Sequence, residues 1–195
     1  MFSRATPQVN SVLSAYGIPM MSEKDDFASL YVQLPDDGSQ RTLCAFSYPR
    51  FWVETTKRDG LVSAANYQTG DGLTLNVAEA PGKASSIDGV SALAIVAEAT
   101  PSEGVVQVIQ EQPVSKGGVD YKYLTVKYNI VTRSGYDVER MAYIAATVRQ
   151  RKFFSLSATV SSERRNKMGV DLEAIRSSFR VGEVGASEEI SAGSV

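Results

Sequence analysis

The chain has 195 residues, of which 43% are hydrophobic and 22% are charged, and its formal net charge is −2. This length and composition are ordinary for a globular protein with a proper core, and the charge gives no reason to expect bulk attraction to nucleic acid or an anionic membrane. No apolar run approaches the roughly 20 residues that a membrane-spanning helix needs. The sequence has no histidine and one cysteine, Cys44. Internal disulfides and sites built on histidine are therefore excluded.

Residues 1–24 are expected to form an extended arm, because they mix prolines and a glycine with small polar residues and show no sustained periodicity. Their apolar centre at Leu13 is too short for a secretory signal, and the Arg-rich composition of a transit peptide is missing, so any such peptide is expected to have been removed from this numbering. Tyr16 and Ile18 are candidates for insertion into a partner groove if the arm orders on binding. The alternative is a frayed terminus without a function.

The segment after the arm is expected to begin a single domain that spans residues 25–181. Four short apolar runs predict strands, at 43–46, 51–54, 61–67 and 73–79. A Gly/Asp-rich turn between the last two predicts a hairpin. Residues 86–99 are rich in alanine, carry apolar side chains at helical spacing and stop before Pro101, which predicts a short helix.

The C-terminal third has the clearest periodicity. Residues 121–131 alternate with one apolar face, residues 141–148 are apolar on both faces, and residues 153–160 alternate again, which predicts three strands with the middle one central in the sheet. The link at 149–152 is short enough only for a hairpin. One helical stripe then follows, formed by Met168, Leu172, Ile175 and Phe179, and predicts a helix on the sheet.

Three groups of basic side chains are candidates for a docking surface, since complementary charge steers and orients association with an acidic partner. Arg149, Arg151 and Lys152 occupy the hairpin link; Arg164, Arg165 and Lys167 precede or open the last helix; Lys57 and Arg58 follow the second strand candidate. For each group the alternative is a solvated turn or helix face.

Several other side chains have two interpretations. Cys44 lies in an apolar run, which favours a buried inert thiol over a nucleophile. Phe51 and Trp52 favour core packing over an exposed interface anchor. Tyr121 and Tyr123 fit equally well under a helix or at a partner surface.

The acidic positions do not have the spacing of a calcium-binding loop, and turns and a solvated tail explain them better. These positions are Asp36, Asp37, Asp71, Glu188 and Glu189. Residues 182–195 consist mainly of Glu, Ser, Gly and Ala, and are expected to form a disordered acidic tail.

Four motifs, in this order along the chain, resemble those of the PsbP family, the oxygen-evolving enhancer proteins of photosystem II. Residues 46–52 (FSYPRFW) are similar to its F-x-Y-P-x-x-W motif, residues 117–123 (GGVDYKY) to its G-x-x-Y-Y strand, residues 146–156 to its A-T-V hairpin, and residues 177–181 (SSFRV) to its closing S-S-F-x-V.

The resemblance implies an α/β (α+β) sandwich with a central antiparallel sheet of about six strands flanked by helices. It also implies a non-catalytic extrinsic protein of the chloroplast thylakoid lumen that contacts photosystem core subunits and other extrinsic proteins. The first expectation is photosystem II, where such a protein supports the retention of calcium and chloride at the oxygen-evolving cluster without binding a cofactor itself. The alternatives are an assembly factor, a protein associated with photosystem I and, from another class, a small-ligand-binding protein or an enzyme.

Overall fold

The computed structural model describes residues 5–35, 40–56, 62–101, 105–132 and 134–185. These parts of the chain form three α-helices and ten strands. In chain order they are α1 (Thr6–Ala15), β1 (Phe27–Pro35), β2 (Gln40–Pro49), β3 (Val53–Thr56), β4 (Val62–Asn66), β5 (Asp71–Glu79), α2 (Ala92–Ala99), β6 (Val106–Lys116), β7 (Val119–Val131), β8 (Asp137–Arg149), β9 (Lys152–Ser161), α3 (Arg165–Ser178) and β10 (Arg180–Gly185).

The larger sheet is antiparallel and has seven strands in the order β3-β4-β5-β9-β8-β7-β6. It confirms the predicted central antiparallel sheet, with one strand more than expected. The prediction of a central strand at 141–148 is confirmed, because β8 pairs with both β7 and β9, and both of its faces are largely buried. The short hairpin is confirmed by the pairing of Arg149 with Lys152.

A second antiparallel sheet, with the order β1-β2-β10, was not expected from the sequence. It packs with α3 against one face of the larger sheet, and the shared core contains Phe46, Leu156, Leu172 and Val181. The prediction of a disordered tail from residue 182 is wrong for residues 182–185, which pair with β2 in β10. Two glycines and one glutamate make this strand look like a tail in composition, but its backbone hydrogen bonds to β2 order it. Residues 186–195 lie outside the described part of the chain.

Helices α2 and α3 lie on opposite faces of the larger sheet, as the sandwich prediction requires. Helix α2 is shorter than the predicted 86–99, because Ser91 caps it and accepts a hydrogen bond from the backbone amide of Ala94 at 3.2 Å. In α3 the predicted apolar stripe is buried, and Phe179 directly follows the last helical residue.

The N-terminal segment contradicts the prediction of an extended arm, because Thr6–Ala15 form a helix. Pro7 lies in its first turn, and Gly17 ends it at a φ of 65°. The amide of Ile18 donates to the carbonyl of Leu13 at 2.8 Å, and that of Gly17 donates to Ser14 at 3.1 Å. This is the Schellman pattern, in which a left-handed glycine closes a helix. Pro7 and Gly17 therefore mark the two boundaries of a helix and not a loop.

Helix α1 covers the outer face of the three-stranded sheet. Val9 and Leu13 are fully buried there, against Leu43, Ala45 and Val184. None of the helices in the described parts of the chain has the length and apolar character needed to cross a lipid bilayer.

Candidate functional site

Three of the four family-like motifs meet at one buried junction. The amide of Ser47 donates to Ser178 Oγ at 2.8 Å, and the amide of Val181 donates to the hydroxyl of Tyr121 at 3.0 Å. The rings of Tyr121 and Phe179 lie 6.1 Å apart in an edge arrangement. The motif residues at this junction thus join the start of β10 to both sheets. In this structure they are buried packing and hydrogen-bonding residues.

The open interpretations of individual side chains are resolved by burial. Trp52 belongs to the core, whereas Phe51 is 63% exposed. Cys44 is fully buried, and burial raises the pKa of its thiol far above the usual range. Tyr121 and Tyr123 are both buried on the face that carries α3, and burial raises the pKa of each to about 12.

Arg149, one of the three basic residues at the β8–β9 hairpin, makes a contact within the protein. Arg149 forms an ion pair with Glu183 of β10 at 2.9 Å. Arg151 is exposed and Lys152 is half-buried. Gln150 and Arg151 have φ values of 49° and 61°, so both central residues of the two-residue loop are left-handed. Arg151 is the most exposed side chain of this group.

The second basic group divides in the same way. Arg164 donates three hydrogen bonds of 2.8–3.2 Å to the carboxylate of Asp71, which is 1% exposed. Such a fork-like pair is structural, and it engages both carboxylate oxygens of Asp71. Arg165 and Lys167 are exposed.

The two basic groups do not form one surface. Strand β9 separates them, since Lys152 is its first residue and the Arg164 turn follows its last. A strand of this length spans about 30 Å. The third group, Lys57 and Arg58, lies outside the described residues, as do Asp36, Asp37, Glu188 and Glu189.

The prediction that Ile18 inserts into a partner is wrong for this conformation, because Ile18 is 7% exposed and packs within its own chain. Its Cδ1 lies 2.3 Å from where a Cβ on Gly182 would be, and the Pro19 ring lies similarly close above Gly117. Arg180 donates to the carbonyls of Pro19 and Met20, both at 3.0 Å. Tyr16 is half-buried beside the outer face of the three-stranded sheet.

A cluster of three basic side chains was not found by sequence reasoning. Lys116, Arg176 and Arg180 surround Tyr123, and Lys116 Nζ lies 2.5 Å from the Tyr123 hydroxyl and 2.6 Å from the carbonyl of Ser177. Burial and the neighbouring Arg180 lower the pKa of Lys116 to about 8. No local signal marks this cluster, because its members come from β6, α3 and β10, and two of those strands were not predicted.

No protein-family model matches this chain, and no curated protein matches it by sequence. Solved structures do match. The chain is similar to the solution structure of cyanobacterial PsbP from Synechocystis sp. PCC 6803, with a TM-score of 0.54 and 17% identity over 79% of this chain and 92% of that one. A crystal structure from Bacteroides thetaiotaomicron reaches a TM-score of 0.41 and 16% identity, over 74% of this chain and 46% of that one. The first likeness covers most of both chains, and the chain therefore has the fold of cyanobacterial PsbP.

Proposed function

We propose that this chain is a non-catalytic PsbP-type protein of the thylakoid lumen that docks on a photosystem core. The observation that carries the proposal is the shared fold, which covers 92% of the cyanobacterial PsbP chain. The four sequence motifs also support it, and three of them form one buried junction in this fold. Photosystem II is the proposed partner, with support of calcium and chloride retention as the role.

The exposed cations support docking on an acidic partner. Arg151 at the β8–β9 hairpin and Lys167 on α3 are exposed and far apart, so they would contact different regions of an acidic partner. Rim charges of this kind act mainly on the association rate and its salt dependence. Arg149 and Arg164 are engaged with Glu183 and Asp71, so they contribute less to docking.

The test is isolation of thylakoids from an oxygenic phototroph that produces the tagged protein, followed by a graded salt wash and separation of the two photosystems. We expect the protein to be in stoichiometric amount with photosystem II and to be released by salt. Cells without it should need more added calcium and chloride for full oxygen evolution.

The variants are Arg151→Glu and Lys167→Glu, with Ser11→Glu as a control that adds a negative charge at an exposed position of α1. The first two should dissociate at lower salt, and the third should behave like the unmodified protein. If the protein is released with photosystem I, the photosystem I alternative replaces the proposal. If it is found only in trace amounts, free of both complexes, the assembly-factor alternative replaces it. Turnover of a substrate by the purified protein would contradict it.

A further inference from the structure

A groove of about 380 Å³ lies between α3 and the bulged edge of the seven-stranded sheet. One stripe of α3 lines it, formed by Arg165, Gly169, Glu173 and Arg176 at spacings of four, four and three residues. The opposite wall comes from β6, β7 and β8 and contains Ile109, Gln110, Thr125 and Tyr143. Ile109 sits where the β6–β7 register shifts, so the bulge places it at the groove.

The floor of the groove is a buried guanidinium. Arg176 is 4% exposed, and its Nη1 donates to the carbonyl of Leu124 at 3.2 Å and to Thr125 Oγ1 at 3.1 Å. Its Cζ lies 5.0 Å from the ring centre of Tyr123 and 5.2 Å from that of Tyr143. Its Nε has no hydrogen-bond partner among the described residues. The sheet thus holds the guanidinium in position, and the Nε–H donor of Arg176 remains without an acceptor in the described part of the chain.

The charges around this guanidinium do not balance. Arg176 and Arg180 both lower the pKa of Lys116, and Glu173 is the carboxylate that opposes them. Glu173 pairs with Arg176, but its own side chain is 48% exposed. A buried cation needs a close anion to offset its lost hydration. One half-exposed carboxylate against three cations leaves an attraction for a further anion.

The rim favours a particular kind of anion. Val170 is 78% exposed and Ile109 is 46% exposed, so two apolar side chains flank the opening. Arg165 is exposed at the same opening and forms no ion pair with any described residue. Gly169 lines the groove, and a glycine weakens the helix at this position. A Cβ added to Gly169 would have the Tyr143 hydroxyl, at 3.8 Å, as its neighbour.

We propose that this groove binds a carboxylate attached to an apolar body, with Arg176 and Arg165 as its cationic contacts and Glu173 as the internal carboxylate that it displaces. The carboxylate can belong to a small organic acid or to an acidic side chain of a protein segment. The site goes beyond the proposed docking function and is tested without any photosystem.

The probe is benzoate, with benzamide as the neutral control of the same shape, titrated into the full chain and followed by ¹H–¹⁵N NMR. We expect benzoate to produce a saturable shift of the Arg176 Nε–H signal and of the amides of Gln110 and Gly169. Benzamide should leave them unchanged. A merely structural Arg176 would respond to neither compound, and that result would overturn the proposal.

Three variants locate the site. Arg165→Gln should weaken benzoate binding by roughly three- to five-fold, the size expected for a partly exposed charge pair. Glu173→Gln should tighten it by about three-fold, because it removes the competing carboxylate. Lys167→Gln is the matched control on the same helix, outside the groove, and should leave the affinity unchanged. Equal effects of the Arg165 and Lys167 variants, or weaker binding after Glu173→Gln, would overturn the proposal.

Two peptides distinguish a small organic acid from a protein segment as the source of the carboxylate. One has a glutamate between two valines, and the other has a glutamine in its place. Tighter binding of the glutamate peptide than of benzoate indicates a protein segment, and the reverse indicates a small organic acid. Both results support a carboxylate site. Binding of neither, or equal binding of the two peptides, contradicts it.

Discussion

Gly117 and Gly118 are adjacent in the chain, but only Gly117 lies against the N-terminal segment. Both have positive φ values, 56° and 76°. A Cβ on Gly117 would lie 2.2 Å from Cγ of Pro19, whereas a Cβ on Gly118 would meet nothing within 4 Å. The backbone geometry is similar at the two positions, so the contact with the proline ring is what separates them.

Alanine substitution at these glycines should therefore give unequal losses of stability. Gly118→Ala is expected to cost about 1 kcal/mol from left-handed strain alone. Gly117→Ala adds a clash with a rigid ring and should cost about 2–3 kcal/mol in total. Urea unfolding measures both values, and limited proteolysis should show faster cleavage near residue 19 only in the Gly117 variant. Equal losses would show that Pro19 does not hold the segment in place.

Lys116 makes stability depend on pH. Its pKa of about 8 in the folded protein is below the ordinary lysine value, near 10.4. Between these two values the unfolded state binds more protons than the folded state, so the free energy of unfolding should rise with pH. This contribution of Lys116 should grow between pH 8 and 9, before the tyrosines titrate, although the buried Cys44 thiol acts in the opposite direction over the same range.

The measurement is urea unfolding across this pH range for the protein and its Lys116→Met variant. The comparison cancels the titration of Cys44 and the other groups common to both. We expect the slope of the free energy of unfolding against pH to be more positive for the unmodified protein than for the variant. Parallel curves would mean that Lys116 keeps an ordinary pKa.

At the scale of elements, the β8–β9 hairpin uses a turn whose residues do not suit it. A two-residue loop with both central residues at positive φ is the type I′ geometry, which favours Asn-Gly. Gln150 and Arg151 occupy it here. The pairing of Arg149 with Lys152 and the apolar strands beyond it fix the register despite the unfavourable turn.

Replacing Gln150 and Arg151 by Asn and Gly should relieve this strain and raise the free energy of unfolding by about 1–2 kcal/mol. Thermal or urea unfolding measures the gain. Gln150→Ala serves as the control, since alanine is no better suited to a left-handed position, and should give no gain. A loss of stability in the double variant would indicate that the side chain of Gln150 or Arg151 makes a stabilising contact, and the Gln150→Ala control tells the two apart.

At the scale of the whole molecule, α1 functions as the cover of the three-stranded sheet. Without it the outer face of that sheet would expose Leu43, Ala45 and Val184, which are now fully or nearly fully buried. Exposed apolar surface of this kind promotes association and dye binding. The segment is thus part of the folded unit in this structure, in contrast to the predicted free arm.

Leu13→Ala tests this role, because Leu13 is fully buried in the cluster beneath α1. The expected loss is about 2–4 kcal/mol, the range for a buried leucine truncated to alanine. Ser14→Ala is the matched control on the exposed side of the helix and should change stability by less than about 0.5 kcal/mol. A small effect of Leu13→Ala would support a loosely attached arm.

Sequence reasoning was most successful where periodicity was strong. Strands β7, β8 and β9 and the apolar stripe of α3 were predicted because alternation and helical spacing are local signals. It failed for β1, β6 and β10. Strand β6 is a largely exposed edge strand that contains Pro113, so it has little apolar pattern to recognise. Because β6 was not predicted, the position of its last residue, Lys116, was not predicted either. The basic cluster that Lys116 forms with Arg176 and Arg180 beside the groove was therefore missed.

By itself, the sequence determined the antiparallel central sheet, its buried middle strand, the tight hairpin and the helix laid on one face, because those features follow from side-chain period and loop length. Only the tertiary structure decided which basic residues remain exposed and that Arg164 pairs with Asp71. It also decided that Thr6–Ala15 form a helix, and that Ile18 and Pro19 after it lie over Gly182 and Gly117. These outcomes depend on contacts between residues that lie up to about 160 positions apart, such as Pro19 and Arg180. No local pattern in the chain carries that information.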